Sequence, residues 1–150
     1  MLPLKKILYP TDFSKPSYEA LKAACEYAKQ FSAELYIINV VPVVPAITAF
    51  TPSSRPFNVP LYQENLESSI KDKLLKVVEE NVPKEIKTRV IVPSGNAGDE
   101  IVRFANEEKV DLIVIASHGE TGGRHYLFGC VAEKVVRHAK CPVLTIPVLR

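Results

Sequence analysis

Residues 111–138 read DLIVIASHGETGGRHYLFGCVAEKVVRH and predict a strand, a glycine-rich loop and a helix in succession. Asp111–Ala116 is a nearly continuous apolar run of strand length, and Val131–His138 is the predicted helix. A buried apolar strand that is followed by a helix is typical of a parallel sheet that helices cover on both faces. The stretch therefore indicates an α/β protein.

The same alternation extends through the rest of the chain. A helix is predicted over Ser14–Phe31, because its apolar residues recur at helical spacing; Ser14 is its expected N-cap, and Pro16 fits a first turn. Further strands are predicted at Lys5–Tyr9, Glu34–Val41, Thr88–Val92 and Val143–Ile146, and further helices at Leu66–Val78 and Asp99–Glu108. We expect one domain, a five-stranded, parallel, doubly wound (Rossmann-like) sheet with helices on both faces.

Composition and charge narrow the function classes. Lys and Arg number 19 against 17 Asp and Glu, a balance that does not favour a nucleic-acid-binding protein. The longest apolar stretch, Leu35–Val44, is shorter than the ~20 residues of a membrane span, and MLPLKK lacks the features of an export signal. Cys25, Cys130 and Cys141 are odd in number and widely spaced, which favours the reducing cytoplasm over a disulfide framework.

A proline-rich connection interrupts the alternation at about residues 42–60. Between Val41 and Leu61 lie five of the twelve prolines. A connection of about 20 residues is long for a compact domain. It is either a tolerated surface insertion or a lid over a site.

Three strand ends mark the expected ligand site. In open α/β sheets, ligands bind beyond the carboxyl ends of the strands, here Pro10–Asp12, Val40–Val41 and Ala116–Gly119. All six glycines lie between positions 95 and 129, and four of them fall within Gly119–Gly129. Glycines that lead into a helix near Cys130 favour a phosphate site built from main-chain amides and the positive helix end. The alternative is a flexible crossover loop without a ligand.

Three segments closely resemble the universal stress protein family. They are ILYPTDFS at 7–14, INVV at 38–41 and IASHGETGGRHYLFGCVAEKVVRHAKCPVLTIP at 115–147. The signature of nucleotide-binding members is G-x-x-G, nine residues, then G-[ST]. It aligns here with Ala116–Gly119, nine residues, and Gly129–Cys130. Ala116 and Cys130 thus depart from the pattern. Glu120 departs as well, because family members often have a basic residue at this position. Arg124 and His125 could compensate for its negative charge.

The resemblance implies an ATP site, with Mg²⁺ held mainly by the phosphates. Asp12 would hold the ribose, main chain near Val40 would meet the adenine, and main chain at Gly119 and Gly129, with position 130, would hold the phosphates. An alternative role for Asp12 is to cap the following helix. The implied nucleotide-binding residues are Pro10, Thr11, Asp12, Val40, Ala116, Ser117, Gly119, Arg124, Gly129, Cys130 and Val131.

The resemblance also implies a homodimer through the last strand. Val143, Leu144, Thr145 and Ile146 would lie at a sheet edge and pair antiparallel across a two-fold axis. The alternative is a short, covered edge in a monomer.

These expectations favour an ATP-binding regulatory module of the stress response. No positioned general base or metal-ligand spacing is evident, so we expect neither fast catalysis nor a protein-bound metal. A nucleotide-free dimeric scaffold and a slow nucleotide hydrolase are the alternatives. Cys130, at a helix N-terminus, is either a reactive thiol or an inert replacement for serine.

Overall fold

A computed structural model describes residues 2–43, 58–119 and 129–148, and its elements follow the predicted order. The strands are β1 (Lys6–Pro10), β2 (Glu34–Ile38), β3 (Thr88–Ile91), β4 (Leu112–Ala116) and β5 (Val143–Ile146). The helices are α1 (Lys15–Phe31), α2 (Val59–Asn81), α3 (Ala97–Glu107) and α4 (Cys130–His138).

The five strands form one parallel sheet in the order β3-β2-β1-β4-β5. The chain builds outward from β1 through β2 to β3, and then returns to place β4 on the other side of β1. Strand order therefore reverses between β1 and β4, where Leu8 lies beside Ile113. The doubly wound α/β fold is confirmed, and β5 lies at an edge of the sheet as expected.

Helices cover both faces of the sheet. Alternate residues of the central strands point to opposite faces, so Ile7 and Tyr9 join one core cluster and Leu8 joins the other. The first cluster takes its helical members from α1 and α2, and the second takes them from α3 and α4. Cys25 lies buried in the first cluster, as its position on the apolar face of α1 predicts.

The proline-rich connection ends earlier in the chain than predicted. α2 already begins at Val59, with Asn58 as its N-cap and Asn58 Oδ1 accepting from the Leu61 N–H at 3.1 Å. Pro60 lies in the first turn, where a missing N–H costs nothing and the fixed φ suits the helix. Residues 44–57 lie outside the described part, so the choice between insertion and lid stays a prediction.

Other element ends differ by a few residues. β2 ends at Ile38 rather than Val41, and beyond it an isolated bridge joins Val41 to Ser94, which lies past the end of β3. α3 begins at Ala97 rather than Asp99, because Asn96 caps it. The predicted N-cap of α1 is confirmed: Ser14 Oγ accepts from the Ser17 N–H at 3.4 Å.

Because Tyr9 is buried, we expect the free energy of unfolding to fall at alkaline pH. Tyr9 is fully buried, its Oη donates to the Ser17 carbonyl at 2.6 Å, and burial raises its pKa from 10.0 to about 12. The stabilisation that follows is fully present below pH 10 and is lost as the pH rises towards 12. We expect this loss to be on the order of 2 kcal/mol of unfolding free energy, and Tyr9→Phe to remove that part of the pH dependence.

Urea unfolding between pH 9 and pH 11.5 measures the effect. Ionisation of Cys25 causes a separate loss of unfolding free energy that begins at lower pH, because burial raises the pKa of its thiol from 9.0 to about 11. Equal pH dependence in the wild type and in Tyr9→Phe would contradict the role of Tyr9.

Candidate functional site

A cavity of about 570 Å³ opens at the carboxyl ends of β1, β2 and β4. It lies at the reversal of strand order, where the topology predicts a ligand site. Ten of the eleven predicted residues line it: Pro10, Thr11, Asp12, Val40, Ala116, Ser117, Gly119, Gly129, Cys130 and Val131. The eleventh, Arg124, lies outside the described residues, as do Glu120 and His125.

The cavity also has lining residues outside this predicted set of eleven. They are Ser17, Ile38, Asn39, Ala97, Ile101, Ile115, His118, Ala132 and Glu133. Ile38 and Asn39 could have been found from the end of β2. Ala97 and Ile101 could not, because they reach the cavity through the packing of α3 on the sheet. Together with Val40 and Ile115, they give the cavity an apolar part.

The main chain of Val40 offers a donor and an acceptor at this part of the cavity. Its neighbours bond towards β3, with the Asn39 N–H donating to Ile91 O at 3.1 Å and the Val41 N–H donating to Pro93 O at 2.8 Å. The N–H and C=O of Val40 therefore point to the opposite side, towards β1, whose pairing with β2 ends at Pro10 and Ile38. Among the described residues, the N–H and C=O of Val40 make no hydrogen bond.

Asp12 packs against Gly119 across the cavity mouth. Asp12 Oδ1 accepts from the Ser14 N–H at 2.9 Å, which confirms that Asp12 caps the turn before α1. A Cβ at Gly119 would overlap Asp12 Oδ2, so only glycine permits this approach of the main chain to the carboxylate. The carboxylate thus both shapes the turn and lines the cavity.

The N-terminus of α4 presents main-chain amides to the cavity. Gly129 is the N-cap and provides no side-chain hydrogen bond. The N–H groups of Cys130–Ala132 have no acceptor within the helix, since the first intrahelical bond runs from the Glu133 N–H to Gly129 O. The Gly129 N–H itself donates to Ser117 O at 2.7 Å. The amides that face an anion would therefore be those after Gly129, a change from the implied role of the Gly129 amide.

The side-chain charges around α4 are paired. Glu133, which lines the cavity, lies 2.8 Å from Arg137 Nη2, and Lys134 Nζ lies 2.7 Å from Asp99 Oδ1. Among the described lining residues, Asp12 and Glu133 are the carboxylates and none is a lysine or an arginine. Attraction for an anion in this part of the site therefore comes from main-chain amides and the helix dipole.

The three cysteines differ in exposure. Cys130 is exposed at the cavity, whereas Cys25 is buried and Cys141 is half-buried. Burial raises the pKa of the Cys141 thiol, as it does for Cys25. Cys130 is thus the most accessible thiol, and its reactivity stays a prediction.

The described residues contain neither a metal-binding cluster nor a membrane-spanning helix. Within residues 2–43, 58–119 and 129–148, no three His, Cys, Asp or Glu side chains are grouped so that they could hold a metal ion. In the same ranges, no helix combines the length and the apolar character needed to cross a bilayer.

Comparison with known proteins decides the family. The model of the universal stress protein family matches residues 3–147. The chain belongs to this family. A universal stress protein of Methanocaldococcus jannaschii, MJ0531, is 40% identical over 142 residues, which cover 95% of this chain and 81% of that protein.

Solved structures of the family share the fold. Universal stress protein UspA from Lactobacillus plantarum has a TM-score of 0.76 at 23% identity, covering 97% of this chain and 99% of that one. A universal stress protein in complex with cAMP has a TM-score of 0.64 at 24% identity, covering 95% and 97% of the two chains. One from Archaeoglobus fulgidus in complex with dAMP has a TM-score of 0.58 at 20% identity, covering 97% and 99%. Adenine nucleotides are thus ligands of related structures.

Proposed function

We propose that this protein is an ATP-binding regulatory module of the cytoplasmic stress response rather than a fast enzyme. The observation that carries the proposal is the cavity at the strand reversal, which combines an apolar part, a carboxylate and a helix N-terminus. These are the features that a base, a ribose and a phosphate chain need. The cAMP and dAMP complexes of related structures support the same ligand class.

The Val40 main chain is the proposed adenine contact. Adenine carries an acceptor at N1 beside a donor at the N6 amino group, which complements a backbone N–H and C=O. Guanine carries a carbonyl and an N–H in the corresponding places, so both groups of Val40 would face a group of their own kind. Ile38, Ile101 and Ile115 supply apolar surface for the ring.

Asp12 is the proposed ribose contact. A carboxylate can accept hydrogen bonds from two neighbouring hydroxyls, and hydrogen bonds to an ionised group are the stronger ones. The bond from the Ser14 N–H and the contact with Gly119 restrict where the carboxylate can point. A restricted carboxylate loses less entropy when it binds the sugar.

The first turn of α4 is the proposed phosphate contact. Its donors are main-chain amides, so the thiol of Cys130 in place of a hydroxyl leaves them unchanged. Ala116, another departure from the family pattern, is itself part of the cavity wall. Mg²⁺ held by the phosphates would offset the carboxylates of Asp12 and Glu133.

We also propose that the protein acts as a homodimer through β5. The strand is an edge of the sheet, and Val143–Ile146 are only half-buried within one chain. Pairing with a second β5 would satisfy the edge and cover apolar side chains.

Calorimetric titration with ATP and with GTP, each with Mg²⁺, tests the proposed function. We expect ATP to bind and GTP to bind roughly tenfold more weakly or worse, because two mismatched hydrogen-bonding groups are left unsatisfied. Absence of ATP binding would favour the nucleotide-free scaffold, and equal affinities would contradict the role of Val40. Release of phosphate over hours from bound ATP would instead support the slow hydrolase.

A further inference from the structure

A chain of buried hydroxyls lies directly behind Asp12. Thr11, Ser14 and Ser17 are only 8%, 5% and 3% exposed. The Phe13 N–H donates to Thr11 Oγ1 at 3.0 Å, Thr11 Oγ1 lies 2.9 Å from Ser17 Oγ, and Ser17 Oγ donates to Ser14 O at 2.8 Å. The hydrogen bonds thus connect the turn after β1 with the first turn of α1.

Thr11 and Ser17 link the Phe13 N–H to the Ser14 carbonyl. Thr11 Oγ1 accepts from the Phe13 N–H, and Ser17 Oγ donates to Ser14 O. Between the two hydroxyls, either oxygen can be the donor. Replacement of the Thr11 hydroxyl would leave the Phe13 N–H without its acceptor.

The hydroxyl chain holds a residue in an unfavourable backbone conformation. Phe13 has a φ of 64°, in the left-handed region that bulky residues avoid. Its N–H is held by Thr11, and Lys73 Nζ lies 4.2 Å from the centre of its ring. Such a conformation persists when the surroundings enforce it, and it is concentrated at functional sites.

The conformation of Phe13 determines where the Asp12 carboxylate lies. Phe13 separates Asp12 from Ser14, whose N–H binds Asp12 Oδ1. A return of Phe13 to a relaxed conformation would move that N–H away from Oδ1 and would shift Oδ2 from its place beside Gly119.

We propose that Thr11 and Ser17 are positioning residues for recognition of the ribose: their hydroxyls hold Phe13 in its left-handed conformation and thereby aim Asp12 at the sugar. This inference rests on the proposed function, and it assigns the selectivity for ribose hydroxyls to two side chains whose own hydroxyls are used inside the protein. The base and phosphate contacts do not depend on them.

The test compares ATP with 2′,3′-dideoxyATP, which lacks both ribose hydroxyls. We expect the wild type to prefer ATP by about tenfold or more, the effect of a hydrogen bond to an ionised group. Thr11→Val should lower this ratio towards one by weakening ATP more than the dideoxy analogue, whereas Thr11→Ser, which keeps the hydroxyl, should retain it. A loss of folded protein weakens both ligands equally, so it does not change the ratio.

Ser17→Ala provides a second variant that breaks the same chain, in case Thr11→Val does not fold, and it should also lower the ratio. Retention of the wild-type ratio in Ser17→Ala or in Thr11→Val would overturn the positioning role and leave the proposed function intact. A wild type that binds both nucleotides equally would overturn it in the same way. A wild type that binds neither would overturn the proposed function, and this inference with it.

Discussion

Asp12→Ala is expected to weaken ATP binding by about 1.5–3 kcal/mol, the contribution of hydrogen bonds to a charged group. The physical reason is that the carboxylate lines the cavity and is held in place by the Ser14 N–H and by the close approach of Gly119. Isothermal titration calorimetry of the two proteins measures the difference.

Asp12→Asn is the matched control for this substitution. The amide oxygen of asparagine can still accept from the Ser14 N–H, so the turn before α1 is preserved while the charge is removed. We expect an intermediate loss of affinity. If Asp12→Ala bound ATP as tightly as the wild type, the role of Asp12 would be limited to holding the turn before α1.

Gly119→Ala is expected to lower ATP affinity by an amount similar to that of Asp12→Ala, without unfolding the protein. A Cβ at this position would overlap Asp12 Oδ2, so the carboxylate would have to leave its present position. Gly119 is not among the residues with positive φ, so alanine adds no backbone strain there. Calorimetry gives the affinity, and thermal unfolding gives the stability.

The double variant shows whether the effect of Gly119→Ala passes through Asp12. If the methyl group acts by displacing the carboxylate, most of its cost disappears in the Asp12→Ala background, and the two losses are far from additive. Fully additive losses would show that Gly119 acts independently of Asp12.

Local patterns were sufficient to predict the fold. Apolar runs of four to six residues alternate with segments whose apolar residues recur at helical spacing, and this alternation predicts the order of strands and helices. A parallel sheet follows, because such apolar strands must be buried on both faces. Pro60 was misread as part of a loop, because a proline in a first turn and a proline in a loop look the same locally. Only the neighbouring cap, Asn58, distinguishes the two cases.

The residues that line the cavity were largely predictable, but the contacts between them were not. Strand ends and glycines located Asp12, Val40 and Gly119, and the structure brings them to one cavity. The close approach of Gly119 to Asp12 depends on the pairing of β1 with β4, which no local pattern encodes. For the same reason, the hydroxyl chain through Thr11 and Ser17 could not be inferred, since it requires the left-handed turn at Phe13.

A crystal structure of the protein grown with ATP and Mg²⁺ tests the central claim most directly. The account predicts adenine within hydrogen-bond distance of the Val40 N–H and C=O, ribose hydroxyls on the Asp12 carboxylate, and a phosphate at the amides of Cys130 and Val131. An empty cavity at saturating ATP, or a nucleotide bound elsewhere on the molecule, would contradict it.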